Sequence, residues 1–396
     1  MNLNSKLVAD GHDVRLNLFL GLANWSLFLD HIPHDVVNQL TARNYGFSGA
    51  ADLLIFVSGY AAAINYASIT LERGFVIGAT RILKRLGQLY GAYVVLFVSY
   101  VVLISYVAAQ YSAPDIINEF NITGLIDQPV NILSHGLILQ ARPLNLDVLQ
   151  LYVLLTACLI PLLWLLMRVP DLTLIGSLAL YVAARWFGWN LSSFPDGSWY
   201  FNPFCWQLLF VLGAWLALGG ARRLGPLLRS PLLLYAGIAY LIFALAMTLA
   251  GRFPDVAQLF PARLVDAFNP IDKVNLSPYR ALHFVVVAFV VTRFVRKDSP
   301  ALKSPIFRPL IKCGEQSLAV FCIGVFLSFI GHFVLTLSAG SIADQILVSI
   351  AGLAIMTFLA YYLSWSRRQD VWKSRTTVED RKTGAVRSSL KTGMGA

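Results

Sequence analysis

The chain has 396 residues, of which 57% are hydrophobic and only 13% charged, a balance that excludes an ordinary soluble α/β domain. Its net charge of +10 would suit a nucleic-acid binder, but Lys and Arg fall in short clusters between apolar runs. That pattern reads as membrane topology rather than phosphate recognition, so no nucleic-acid partner is expected.

Apolar runs of about 17 or more residues each fit one bilayer crossing. They fall near 16–33, 48–68, 87–109, 147–167, 172–188, 204–219, 232–250, 279–295, 316–337 and 343–365. An all-α polytopic integral membrane protein of about ten transmembrane helices is expected, with membrane lipid around it. Residues 16–29 could pass for a signal-peptide core, but Asp10 and Asp13 precede them and no small-residue cleavage site follows, so a retained first helix is expected.

Basic clusters follow the even-numbered runs: Arg73, Arg81, Lys84 and Arg85 after the second, Arg222, Arg223 and Arg229 after the sixth, Arg367 and Arg368 after the tenth. If the helices alternate, these sites share one side, which places both termini in the cytoplasm. Of the opposite connections, 110–146 contains the run 130–140, too short to span and expected to be re-entrant or interfacial. The chain from 366 to 396 is polar and basic, and disorder is expected there. Cys158, Cys205, Cys313 and Cys322 show no metal-ligand spacing, so neither a metal site nor a disulfide is expected.

Ionisable groups within spanning helices cost roughly 2.5–3.5 kcal/mol each on insertion scales and usually serve a function. Residues 15–60 keep three such groups, Asp30, His31 and Asp52. Asn17, Asn24 and His31 recur at intervals of seven and share one stripe of the first helix, which should face protein or water. A histidine at the helix end can act as general base, drawing a proton from an acceptor hydroxyl so that it attacks a thioester. Asp30 lies about 100° round the helix from His31 and cannot easily orient its ring, so Asp52 is the candidate partner. Asp30 reads equally as a helix-end carboxylate.

Further along, Ser58-Gly59 is a small pair whose default meaning is close helix contact. Asn202, Trp206 and Gln207 suit either cap, anchor and hydrogen-bond glue or a substrate-pocket lining. The tryptophans near 186–206 read as an interfacial belt more readily than as sugar platforms, and His283 and His332 as bundle hydrogen bonds. The cytoplasmic Arg/Lys clusters, Arg222 and Arg223 first among them, are candidates to hold a phosphate-bearing donor such as coenzyme A, although topology alone explains them.

At these residues the chain resembles the OpgC family of bacterial inner-membrane proteins, known for succinylating osmoregulated periplasmic glucans. The segments that carry the likeness are FLDHIP (28–33), RNYGFSGAADLLIFVSGY (43–60), FNPFCWQLLFVLGAW (201–215) and CGEQSLAVFCIGVFLSF (313–329). The resemblance implies a membrane acyltransferase domain over 1–365, a cytoplasmic acyl-CoA donor with no bound cofactor, a periplasmic glucan or other envelope glycan as acceptor, and His31 as the catalytic histidine. The chain departs from the family pattern at three positions. Leu20 stands where an arginine is usual, and Gly49 and Asp52 replace the aspartate and glutamate of a GFSDAAE motif. Arg15 is a poor substitute for that arginine, because sixteen residues of helix place it some 24 Å from His31.

Two other classes fit the composition. A transporter or flippase for a polar envelope molecule would use Asp30, His31 and Asp52 to carry protons, though no repeated halves are visible. A catalytically silent acyltransferase relative would account for Leu20 and Gly49.

Overall fold

A computed structural model describes residues 13–393 except 34, 112–127, 142–144, 298 and 339, with side chains as far as 369. Among these the chain is helical, and the only extended pairings are two isolated bridges, Ala141 with Phe194 and Ser192 with Ser198. The principal helices are α1 (Val14–Asp30), α2 (Ala50–Arg73), α3 (Phe75–Gln110), α4 (Pro129–Leu137), α5 (Asp147–Arg168) and α6 (Pro170–Phe187). Then come α7 (Pro203–Trp215), α8 (Pro231–Ala250), α9 (Pro278–Phe294), α10 (Arg308–Glu315), α11 (Ser317–Leu337) and α12 (Ile342–Gly393).

Local chemistry sets the helix starts. Asp13 accepts from the Arg15 N–H at 3.1 Å, Asn202 from Phe204 at 3.1 Å and Ser230 from Leu233 at 3.3 Å, each capping the helix that follows. Proline opens α4, α6, α7, α8 and α9, where its missing N–H costs nothing. The helical path after Trp215 loosens over Leu216–Gly220, with Gly219 at φ +118°, a conformation glycine tolerates.

Among the described residues, seven helices are long and apolar enough to cross a membrane: α2, α3, α5, α7 continued to Arg223, α8, α11, and α12 as far as Gln369. The other three expected crossings are also helices, α1 of 17 residues, α6 of 18 and α9 of 17. Asp171 and Arg185 in α6, and Arg280 and Arg293 in α9, lower their apolarity. Helix α12 continues past residue 366 into the basic tail, where disorder was expected.

Glycines set the closest helix pairs. A Cβ added at Gly59 would overlap the Phe210 backbone, and one at Gly213 the Phe56 carbonyl, so α2 and α7 touch backbone to backbone. The same holds for α1 and α10, where Gly21 meets the Leu310 carbonyl and Gly314 the Asn17 carbonyl. The close contact expected of Ser58-Gly59 is thus made by Gly59.

Helix α3, with 36 residues, is about 54 Å long. Its antiparallel neighbour α2 has 24, twelve fewer, so the first turn of α2 stops about 18 Å short of the end of α3. Helix α4 meets α3 at a similar depth: Tyr90 and Tyr93 donate to the Leu137 and Gly136 carbonyls at 2.9 and 3.0 Å. Gln150, in the first turn of α5, donates to the Tyr93 hydroxyl at 3.2 Å. The short apolar run 130–140 therefore packs against α3, and the first turns of α2 and α5 lie within the bundle.

Candidate functional site

At this level α1 ends, with His31 as its C-cap. Two tight turns, Val36–Leu40 and Ala42–Asn44, then fold the chain back over the helix end. The Asp30 carboxylate accepts from Thr41 Oγ1 at 2.6 Å and lies 3.8 Å from Arg43 Nε, while Arg43 also donates to the Asp30 carbonyl at 3.1 Å. Asp30 is thereby committed to holding this loop. His31 is different: its Nδ1 is buried and has no hydrogen-bond partner among the described residues.

The hydrogen bond expected between Asp52 and His31 is not formed. Asp52 is fully buried and accepts from Arg280 Nε at 3.0 Å and Nη2 at 2.6 Å, and from the Gly49 N–H at 2.8 Å. A carboxylate at bilayer depth needs its charge matched and both oxygens satisfied, and the fork of a guanidinium does this better than an imidazole. Arg280 is 5% exposed; its third contact is the Phe47 carbonyl at 3.2 Å, and its guanidinium lies 5.4 Å over the Trp206 ring.

Trp206 is fully buried and donates to the Lys273 carbonyl at 3.0 Å, tying the connection before α9 onto the same cluster. Lys273 itself is half-buried and forms no ion pair among the described residues. Burial, and then repulsion from Arg43 and Arg280, pulls its ammonium down to about 8, against the opposing pull of Asp30 and Asp52.

The remaining expected residues separate into two groups. Asn24 donates to Ser317 Oγ at 3.1 Å and joins α1 to α11, and Gln207 bridges to Ser177, accepting from its hydroxyl at 2.6 Å and donating to its carbonyl at 2.9 Å. Both serve as interhelical glue. His283 receives the Ser48 N–H at 3.3 Å, and its Nδ1 lies 2.8 Å from Ser48 Oγ, the bundle hydrogen bond anticipated for it. Arg15 pairs with Asp13 at 2.7 Å, far from His31 in the chain's first turn.

Ser58 belongs to the second group, because it lines a cavity of about 740 Å³. The cavity runs between α1, α2, α3, α5, α10, α11 and α12, from Arg85 and Arg367 at the basic end to Leu54, Val148 and Leu149. Its wall on α2 extends from Leu54 to Tyr66, twelve residues or about 18 Å. The inner end thus lies within a helical turn of Asp52 and Asp147. Leu20 is also on its wall. Arg222 and Arg223, expected to hold a donor, are not: Arg223 is ion-paired with Asp171, which also accepts from Trp215 Nε1 at 2.9 Å. No cluster of three potential metal ligands occurs among the described residues, and the four cysteines are free thiols.

A family model described as OpgC protein matches residues 12–368. The chain belongs to the OpgC family. The match covers every helix of the bundle and both halves of the site, and the family points to a membrane acyltransferase type of function. No curated protein and no solved structure matches the chain.

Sequence reasoning missed Arg280 and Lys273 as members of the site. The rule that singled out Asp52 applies equally to Arg280, an ionisable residue inside the apolar run 279–295, and would have found it. Nothing in the local pattern names its partner, 228 positions away.

Proposed function

We propose that the protein is a membrane-bound O-acyltransferase that moves an acyl group from cytoplasmic acyl-CoA to hydroxyls of a periplasmic or other envelope glycan in the bacterial inner membrane. Succinyl is the first acyl group to test. The observation that carries this reading is the cavity: one end is basic, and the other stops beneath a buried charge cluster at the end of the helix that bears His31. A donor and an acceptor confined to opposite sides of a bilayer can react only in such a place.

In this reading the basic end faces the cytoplasm, in keeping with the positive-inside rule. His31 takes the proton of the acceptor hydroxyl as its oxygen attacks the thioester carbonyl; the C–S bond then breaks, and the proton passes to the departing thiolate. The His31 Nδ1 is buried and has no hydrogen-bond partner among the described residues, so no neighbour there competes for the proton. The Asp52–Arg280 pair fixes α2 against α9 around the reacting groups. Acyl-CoA is a substrate here, and no bound cofactor takes part.

The test is release of free coenzyme A from succinyl-CoA and acetyl-CoA by detergent-purified protein, with and without an envelope-glycan extract. Acceptor-dependent release by the wild type, lost in a folded His31→Ala protein, is expected. Full activity in that variant would remove His31 from the mechanism, and glycan movement across vesicles without thioester cleavage would replace transfer by transport.

A further inference from the structure

The charges gathered at the end of α1 are matched in pairs, with one left over. Asp52 is held by the Arg280 fork, and Asp30 by Thr41 and Arg43. Lys273, in the connection before α9, faces all four of these charged groups but makes no side-chain hydrogen bond or ion pair among the described residues. Its neighbour in sequence, Asp272, is engaged by Arg185 at 3.3 Å. Arg43, Arg280 and Lys273 against Asp30 and Asp52 therefore leave a positive charge that the protein does not match.

The backbone that carries Lys273 is firmly held. The Ser277 N–H donates to the Asp272 carbonyl at 3.2 Å and closes the loop, and Trp206 Nε1 donates to the Lys273 and Val274 carbonyls at 3.0 and 3.2 Å. The Trp206 ring also lies under the Arg280 guanidinium, so the loop and the Asp52 pair form one assembly. A side chain on such a support loses less freedom when it meets a ligand than one on a free loop. A second donor in the same loop is unengaged: Ser277 Oγ, 2% exposed at the start of α9, neither caps its helix nor finds a partner among the described residues. Buried polar groups are normally satisfied and buried ammonium groups normally paired, so both point to a ligand that brings negative charge.

The reaction itself generates that charge. As the acceptor oxygen bonds to the thioester carbon and His31 takes the hydroxyl proton, the carbonyl π pair moves onto its oxygen and a tetrahedral oxyanion forms. The pair returns as the C–S bond breaks, and the proton passes to the thiolate sulfur. An oxyanion held away from water needs a cation or donor already in place, and both arginines are committed to carboxylates. We infer that Lys273 is a catalytic residue whose ammonium meets this oxyanion, keeping its own proton throughout. The inference rests on the transferase reading and adds to it the group that carries the negative charge.

Steady-state transfer from succinyl-CoA and from butyryl-CoA to the envelope-glycan extract, by full-length protein in detergent, tests it. Lys273→Met should lower kcat about 100- to 1000-fold with both donors and leave KM unchanged, because the contact is made only in the transition state. In the wild type, kcat/KM should fall about tenfold per pH unit above about 8, where Lys273 gives up its proton; burial, Arg43 and Arg280 set that value against the pull of Asp30 and Asp52. Lys273→Arg should keep part of the rate and lack this alkaline fall, which a purely structural role would not produce. Lys273→Met should melt no lower than wild type near pH 7, so that lost activity is not lost fold.

Wild-type kcat in Lys273→Met would overturn the inference and leave the transferase reading standing. A loss confined to succinyl-CoA would overturn it too, by setting the ammonium against the distal carboxylate of the acyl group. A raised KM for the glycan at unchanged kcat would make Lys273 an acceptor contact instead. No coenzyme A release by the wild type from either donor would sink the transferase reading, and the inference with it.

Discussion

Asp52 and Arg280 show how one residue's chemistry depends on a partner the local sequence does not name. A buried ion pair contributes little net stability, but removing one member strands the other. Asp52→Ala and Arg280→Met should each destabilise the protein by about 3–5 kcal/mol, and the double variant by clearly less than the sum. Thermal unfolding in detergent measures this; additive losses would mean that the pair is not coupled. The shorter reach of Asp52, one methylene less than the glutamate of the resembled motif, is accommodated here because its partner is a guanidinium on α9. Lys273 gives a pH signature. Its folded value of about 8 lies below the ordinary lysine value of 10.5, so between the two the unfolded chain binds a proton that the folded one lacks. Stability attributable to Lys273 should rise with pH across that window, the full cost being present below about 8. Lys273→Met should be more stable than wild type near pH 7, and the difference should shrink toward pH 10.5. A constant difference would place the ammonium in water. Asp30, His31 and Asp52 were visible from the sequence because charge in an apolar run is conspicuous. Their pairing was not, since Arg280 stands 228 positions from Asp52 and nothing local to either residue names the other.

At the scale of helices the sequence was far more legible, because length and apolarity are local properties. All ten expected runs are helices, and the stretch 130–140, with eleven residues too short to cross a bilayer, contributes to the nine-residue helix α4. What length cannot reveal is which helices touch. Small residues mark the seams, but Gly59, Gly87 and Gly176 look alike in sequence; a Cβ would collide with a neighbouring backbone at Gly59, while at Gly87 and Gly176 it would meet nothing within 4 Å. Gly213→Leu should therefore separate α2 from α7 and cost more than the roughly 1–3 kcal/mol of ordinary overpacking, since backbone rather than a side chain must move. Gly176→Ala should instead be neutral or gain up to about 1 kcal/mol from helix propensity. Paired melting curves decide it, and tolerance of Leu at 213 would remove the seam.

The cavity belongs to the molecule as a whole, being walled by seven helices drawn from the start, middle and end of the chain. The sequence offered several equivalent basic clusters and no means of choosing Arg85 and Arg367 over Arg222 and Arg223; only the folded arrangement shows that Arg223 is engaged by Asp171. Which side the cavity faces is open to direct measurement, because Cys322 lies on its wall. The other thiols differ in environment: Cys205 and Cys313 are buried, and Cys158 is exposed on α5 within an apolar span. In a Cys158→Ser background, a charged, membrane-impermeant maleimide should label Cys322 from the side where the cavity meets water. If the basic clusters lie in the cytoplasm, labelling should be fast in inside-out vesicles and slow in intact cells. Coenzyme A should slow the fast reaction by occupying the same space. The reverse sidedness would turn the whole bundle over, bring the donor from the periplasmic side, and place Asp30 and His31 toward the cytoplasm.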